Sequence, residues 1–311
     1  MQFINDSLTT LALSDPAPID PETKGLERGY AYLQLLKTDE FSRIGSRYVV
    51  AVGPFNALAK SKYQASNGAS EQLMGADQRQ WFLDTMKAST RTFKIWGNEI
   101  CFQQRHIDLT PVQLAPDNLR IKIQISAEDW DGFPNEREAL LQELSAIDNV
   151  VIVSGDLHCF FAGTPFSSAD PSKRLVEFVT GSLTSTTWQA GLSSLAGANS
   201  SLPQSVQIIA SQLGSLFTDP DTKPNPNLAF QNLSDNGYGL FQASGDSLSA
   251  SLFSVSAANI ATPPEQLPGA LDTLFARQDF EVDAGSSDLF RTSDDGRSRW
   301  DIASMSWVPE T

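Results

Sequence analysis

Cysteine and histidine are both scarce in this chain, with two of each among 311 residues. Cys101 and Cys159 are too few for a disulfide framework or a cysteine-based zinc site, and the sequence leaves a single bridge between them open. The two histidines, His106 and His158, exclude a histidine-rich metal centre. No stretch of about 18 apolar residues occurs, so we expect no membrane span. The first residues lack a basic segment followed by an apolar one, so we expect no signal peptide.

Positive charge is also in short supply. The chain has 22 Lys and Arg against 37 Asp and Glu, which gives a net charge of −15. Nucleic acids are bound through stripes of Lys and Arg, so this balance disfavours a general nucleic-acid-binding protein. It suits the binding of cations, although a solvated acidic surface is the more ordinary explanation. With 41% apolar residues, the chain is long enough to bury a sizeable core.

Hydrophobic periodicity predicts a chain that mixes strands and helices. The apolar residues of 74–88 recur at helical spacing, and Pro134 after an acidic turn is typical of a helix start. Residues 204–217 could form one more helix, and two alternating runs around Ser-Gly-Asp predict a hairpin over 237–255. The last fifty residues have no clear period. The composition changes beyond residue 182, and we expect a soft domain boundary near 165–185. Apolar or alternating runs predict strands at 47–53, 92–102, 120–125, 149–156 and 174–182.

The most informative segment is the predicted strand VVIVS, which runs into Gly-Asp-Leu-His. Ligands of layered α/β proteins gather at the carboxyl ends of strands, where Asp156 and His158 stand. If Gly155, which has no Cβ, lets the chain leave strand geometry, both side chains can face one cation. Carboxylate and imidazole together suit Fe, Zn or Mn. The alternative is that Asp156 caps a turn and His158 is partly buried, and we expect His106 to be solvated or hydrogen-bonded.

A second acidic segment, EDWDGFPNER, precedes the predicted helix at Pro134. Its carboxylates, Glu128, Asp129 and Asp131, could provide oxygen ligands to a hard cation. They could equally cap the helix and complement its dipole, which we favour for most of them. Asp129 is the best candidate for an additional role.

Several stretches, taken in order, resemble the alkaline phosphatase D family of metallophosphoesterases. The combination of Trp-Asp-Gly-aromatic with a later Gly-Asp-x-His is fairly specific. The resemblance implies hydrolysis of phosphate monoesters and diesters, a metal centre with iron and calcium, and a calcineurin-like α/β fold of two packed sheets flanked by helices. The stretches span most of residues 14–245 and are SDPAPIDPETKGLERGYAYLQL, FSRIGSRYVV, MGADQRQWFLDTM, FKIWGNEI, EDWDGFPNER, NVVIVSGDLH, LVEFVTGSLTS and DNGYGLFQ.

The resemblance carries individual roles onto four residues. Asp156 and His158 match the metal-binding pair, with Fe and Ca as the expected cofactors and another divalent metal possible. Asp129 becomes a weaker active-site candidate, and Arg47 is expected near the phosphate. The family's opening metal ligands have no counterpart in this sequence, and the WGNEI stretch falls where a core strand is expected. The chain therefore resembles the carboxyl-terminal portion of such an enzyme or a shortened member.

The expected organisation is residues 1–180 as the carboxyl-terminal part of the metallophosphatase domain and 181–311 as a family-associated extension with helix and hairpin. Family members are typically exported, which implies a periplasmic or extracellular location. Two protein ligands are few for a catalytic cluster, so we expect reduced or absent activity from this chain alone. The alternatives are a non-catalytic binding module and a pseudo-phosphatase that keeps the fold without the chemistry.

Overall fold

The computed structural model describes residues 50–115, 120–198, 204–219, 221–260, 262–267 and 271–310. The protein is a mixed α/β structure with several sheets and helices. The helices in these ranges are α1 Val52–Ala65, α2 Ala76–Ala88, α3 Pro134–Leu144, α4 Trp188–Ala198, α5 Gln204–Ser211, α6 Leu213–Phe217 and α7 Ala257–Ile260. Among the described helices, none has the length and apolarity needed to cross a bilayer. Both cysteines are buried and free, so they form no bridge with each other.

The chain divides into two compact units, each assembled from three segments. The first unit contains the described parts of Met1–Met74, Arg105–Arg137 and Leu195–Pro224. The second contains the described parts of Gly75–Gln104, Glu138–Ser194 and Asn225–Thr311. The expected organisation into 1–180 and 181–311 stays a prediction.

A small antiparallel sheet lies in the first unit, in the order β1–β4–β3. Its strands are β1 Val50–Ala51, β3 His106–Asp108 and β4 Lys122–Gln124. The strand predicted over 47–53 is wrong at its carboxyl end, because α1 already begins at Val52. Pro54 lies in the first turn of α1, where the missing N–H breaks no intrahelical hydrogen bond, so the proline is compatible with this helix start.

The second unit contains a five-stranded sheet in the order β2–β5–β7–β6–β8. Strands β2, β5 and β7 are parallel, and β6 is antiparallel to β7 and β8. The predicted strands over 92–102, 149–156 and 174–182 are confirmed as β2, β5 and β7, each shorter than its apolar run. The strands are β2 Lys94–Asn98, β5 Val150–Ser154, β6 Phe160–Gly163, β7 Val176–Val179 and β8 Leu228–Asn232.

A six-stranded antiparallel meander follows in chain order. The hairpin predicted over 237–255 is confirmed as β9 and β10. The last fifty residues, which carried no clear period, supply β11 to β14. The strands are β9 Asp235–Ala243, β10 Ser247–Ser256, β11 Ala276–Asp283, β12 Phe290–Ser293, β13 Gly296–Asp301 and β14 Ser306–Pro309.

The five- and six-stranded sheets share one hydrophobic core within the second unit. Phe178 of β7 packs against Phe241 of β9 and Phe280 of β11, with ring centroids 5.7 and 6.0 Å apart. Burying an aromatic side chain of this kind contributes about 2–3 kcal/mol, so these contacts stabilise the packing of the two sheets. The core also contains Phe93, Val151, Phe160, Ala162, Val176, Leu248, Ala250, Leu252, Val282, Leu289 and Trp300.

Strand β7 also carries a buried carboxylate, between the core residues Val176 and Phe178. Glu177 is 0% exposed. Its Oε1 accepts hydrogen bonds from Phe102 N (2.8 Å) and Ser154 Oγ (2.5 Å). Its Oε2 accepts from Gln103 N (2.6 Å) and from the Cys101 thiol (3.9 Å). A buried carboxylate requires such donors, so Glu177 joins the 101–103 segment to the end of β5.

Glu177→Gln should lower the free energy of unfolding by about 2–3 kcal/mol, because one acceptor oxygen becomes an amide that faces N–H and O–H donors. Urea unfolding measures the loss. The control is Glu143→Gln, whose partly exposed carboxylate pairs with Arg79 and Lys87 and should cost at most about 1 kcal/mol. Equal losses in the two variants would contradict the special position of Glu177.

Candidate functional site

The predicted Asp-Leu-His segment forms a strained turn at the end of β5. Asp156 has φ 63° and His158 has φ 55°, so both lie in the left-handed region that non-glycine residues rarely adopt. Between them, Leu157 N donates to Gly155 O at 2.7 Å. The chain then passes into β6 at Phe160. Backbone strain of this kind clusters at binding and active sites, where the surrounding structure holds it.

Gly155 does not make this turn, contrary to the expectation from the sequence. Gly155 has no left-handed φ, and a Cβ built on it would meet no atom within 4 Å. The left-handed conformations fall instead on Asp156 and His158. Asp tolerates this region because its short polar side chain can bond locally. The segment leaves strand geometry as expected, and the two candidate ligands themselves make the turn.

His158 is fixed by two hydrogen bonds to one neighbouring segment. Its Nδ1 lies 2.9 Å from the carbonyl oxygen of Thr186, and its own carbonyl accepts from Trp188 N at 3.1 Å. A carbonyl oxygen can only accept, so Nδ1 carries the proton and the lone pair of the neutral ring is on Nε2. Metal-bound histidines are commonly held in this way by a second hydrogen bond to the ring.

The donor types of this turn fit a metal ion. Asp156 is exposed and His158 is half-buried, which leaves a carboxylate and an imidazole accessible within three residues of chain. Oxygen and neutral imidazole nitrogen are ligands for iron, and oxygen is the ligand for calcium. Within the described ranges, no group of three or more His, Cys, Asp and Glu side chains is placed to hold a metal ion. Arg47 lies outside the described residues.

Asp129, the other sequence candidate, is buried in the first unit and is 5% exposed. Its Oδ1 accepts from Asp131 N at 2.9 Å and so caps the short 3-10 turn Trp130–Gly132. Its Oδ2 forms an ion pair with the buried Arg105 guanidinium. Both contacts are those of a structural carboxylate, which is the capping alternative weighed for this segment.

Asp131 completes this buried cluster. Its carboxylate accepts from Arg105 N at 3.0 Å and from Arg137 Nη1 at 3.1 Å. Burial raises the pKa of Asp131 from 3.8 to about 6, and the charge of Asp129 adds to the rise, whereas Arg137 and Arg105 act in the opposite direction. The sequence predicts the acidic residues of this cluster but not their pairing with Arg137, in the same segment, or with Arg105, which lies 24 residues from Asp129 along the chain.

His106, in the same unit, is also buried. Burial lowers the pKa of His106 well below its usual 6.5, and Lys122, Arg137 and Arg105 lower it further. The ring is therefore neutral at pH 7. The expectation that His106 would be solvated is wrong, and the alternative of a hydrogen-bonded residue is compatible with its burial.

As the pH rises from about 4 to about 6, the titration of Asp131 should lower the free energy of unfolding. In this window the folded protein keeps a proton that the unfolded chain has released, so the folded state loses stability as the pH rises. In Asp131→Asn that contribution is absent, and the stability of the variant relative to the wild type should rise by up to about 3 kcal/mol from pH 4 to pH 6. Urea unfolding at four pH values measures it.

The control for this experiment is Asp84→Asn, which changes an exposed carboxylate on α2. The comparison shows whether the pH dependence is specific to the buried carboxylate. A flat difference between Asp131→Asn and the wild type over this range would contradict a raised pKa at Asp131.

Comparison with known proteins places this chain in a family of phosphatases. The model of the PhoD-like phosphatase family matches residues 23–252, so this chain belongs to that family. Alkaline phosphatase D of Bacillus subtilis (strain 168) is 24% identical over 125 residues, which cover 39% of this chain and 20% of that protein. The solved structure of PhoD is 17% identical with a TM-score of 0.44, over 73% of this chain and 35% of that one. The resemblance seen in the sequence is thereby confirmed, and the chain spans about a fifth of its curated relative.

Proposed function

We propose that this protein hydrolyses phosphate esters with a metal centre to which Asp156 and His158 contribute. Membership of a phosphatase family supports the reaction class. The observation that supports the site is the Nδ1 hydrogen bond of His158 to Thr186 O, which leaves Nε2 with a lone pair for a metal, two residues along the chain from the exposed Asp156. Iron and calcium are the metals that the family resemblance implies, and another divalent metal would suit the same donors.

The residues of this turn have separate tasks in the proposed reaction. Asp156 supplies an anionic oxygen, and His158 supplies a neutral nitrogen whose direction the protein fixes. A metal bound there would polarise the phosphoryl group and lower the pKa of a bound water. Phosphoryl transfer depends mainly on positioning and electrostatic stabilisation, so fixed ligands matter more than a covalent step. Two side chains fill only part of a coordination sphere, and we therefore expect low turnover.

Two further residues belong to the proposal in smaller roles. Arg47 would stabilise the negative charge of the phosphate, for which a guanidinium is well suited. Asp129 would act indirectly, because its carboxylate is already paired with Arg105. We also propose calcineurin-like layering, which the shared core of the five- and six-stranded sheets supports. A periplasmic or extracellular location is proposed on the family resemblance alone.

Hydrolysis of p-nitrophenyl phosphate by the purified chain tests the proposed function. The wild type, supplied with iron and calcium, should release p-nitrophenol above the buffer rate, and a chelator should abolish the release. His158→Ala and Asp156→Asn should each lower the rate by about 100-fold, because each removes a metal ligand. The amount of bound metal is measured in the same samples.

The matched control is Asp246→Asn, an exposed carboxylate in the turn between β9 and β10, which should keep the wild-type rate. Hydrolysis retained in both His158→Ala and Asp156→Asn would place the reaction elsewhere in the chain. A wild type that neither binds metal nor hydrolyses the ester would favour the non-catalytic alternatives.

A further inference from the structure

We infer that Asn236 is a positioning residue that orients His158 through the loop 182–186, an inference which rests on the proposed function for its catalytic consequence. The loop lies between the end of β7 at Val179 and the start of α4 at Trp188. Its last residue, Thr186, provides the carbonyl oxygen that accepts from the His158 ring. The position of that oxygen therefore decides which ring nitrogen of His158 carries the proton.

The Asn236 side chain holds the loop at two points. Asn236 is 2% exposed, and its Nδ2 donates to Ser182 O at 3.1 Å and to Ser185 O at 2.8 Å. These bonds use both hydrogens of the amide nitrogen. A buried amide that spends both donors on carbonyls three residues apart fixes the path of the chain between them. The second carbonyl immediately precedes Thr186.

The backbone beside Asn236 provides a rigid base for these bonds. Gly237 N donates to Ser182 O at 2.9 Å, next to the side-chain bond from Asn236. Gly237 has φ 150°, and a Cβ there would lie 1.9 Å from Phe253 O, so only glycine allows this approach of β9 to β10. Asn236 itself is paired with Val255 in the same hairpin. The loop is thus anchored to the largest sheet of the second unit.

The loop is also ordered from within and at its far end. Ser182 Oγ accepts from Ser185 N at 2.8 Å, which closes a local turn. Beyond Thr186, Trp188 N donates to the carbonyl of His158, and the Trp188 ring packs edge-on against Phe161 at 6.2 Å. The loop 182–186, which links Asn236 to His158, is therefore held at several points. Loss of the Asn236 amide would release its 182–185 half and with it the Thr186 carbonyl.

The chemical consequence concerns the tautomer of His158. With Thr186 O in place, the proton stays on Nδ1 and Nε2 is ready to bind a cation. Without a fixed acceptor, the proton can move to Nε2, and binding must first remove it. Partners that hold a ligating histidine typically change metal affinity by 10–100-fold when they are lost.

The tautomer can be measured directly because the chain has only two histidines. Long-range ¹H–¹⁵N spectra of the imidazole rings in the metal-free protein should show Nδ1–H for His158 in the wild type. In Asn236→Ala, the His158 signals should move toward a mixture of both tautomers, while the buried His106 serves as the internal reference. Calorimetric titration with Zn²⁺ should give an affinity lowered by 10–100-fold.

The control is Asn232→Ala, because Asn232 donates to Asp235 and Ser254 in the neighbouring strands and not to the loop. It should leave the His158 tautomer and the Zn²⁺ affinity unchanged even if it lowers the free energy of unfolding. If Asn236→Ala does not fold, Asn236→Asp removes the same two donors at nearly constant size and replaces it in both measurements.

Failure of the positioning role and failure of the proposed function give different results. An unchanged His158 tautomer and an unchanged Zn²⁺ affinity in the Asn236 variant would overturn the positioning role, whatever the enzyme does. A shifted tautomer together with hydrolysis that does not depend on His158 would instead refute the proposed function and leave the positioning of the ring established.

Discussion

The hydrogen bonds of the Glu177 carboxylate are the constraint from which the geometry of the strand end follows. They join Phe102 and Gln103, which follow β2, to Ser154, the last residue of β5. A buried carboxylate without these donors would cost several kcal/mol. The hydrogen bonds of Glu177 therefore hold Phe102, Gln103 and Ser154 together. Ser154 O also accepts from Thr180 N. The point at which the candidate ligands leave the sheet is therefore held from both neighbouring strands.

From that fixed point the chain has to turn within a few residues, and two non-glycine residues take left-handed conformations. Each such conformation costs on the order of 1 kcal/mol or more, which the hydrogen bonds around His158 offset. Glycine at these positions would relieve the strain but would carry neither a carboxylate nor an imidazole. The same turn thus links a conformational cost to the presence of Asp156 and His158, which is the pattern expected where side-chain chemistry constrains the backbone.

Much of this arrangement could be predicted from the sequence. The strands β5 and β7, the helices α2 and α3 and the β9–β10 hairpin follow from apolar period and turn residues, which are local properties. The beginning of α1 could not be predicted in the same way, because Val52 locally favours a strand and its place in a helix is set by tertiary packing. The Thr186 carbonyl left no trace in the sequence, since every residue has one. Asn236 likewise acquires its role only when β9 lies beside the 182–186 loop.

The acidic composition can now be divided by what the carboxylates contact. Asp129 and Asp131 are buried in the first unit and paired with arginines, and burial raises the pKa of Asp131. Neither carboxylate is exposed to a ligand from solvent. Glu177 is likewise committed to backbone and hydroxyl donors. Asp156 differs because it is exposed and stands beside a histidine whose proton is directed away from Nε2. A net charge of −15 would not have singled it out, since the charge is summed over the whole chain. Exposure, backbone strain and a fixed neighbouring tautomer distinguish Asp156 from these buried acids, and each follows from how β5 ends.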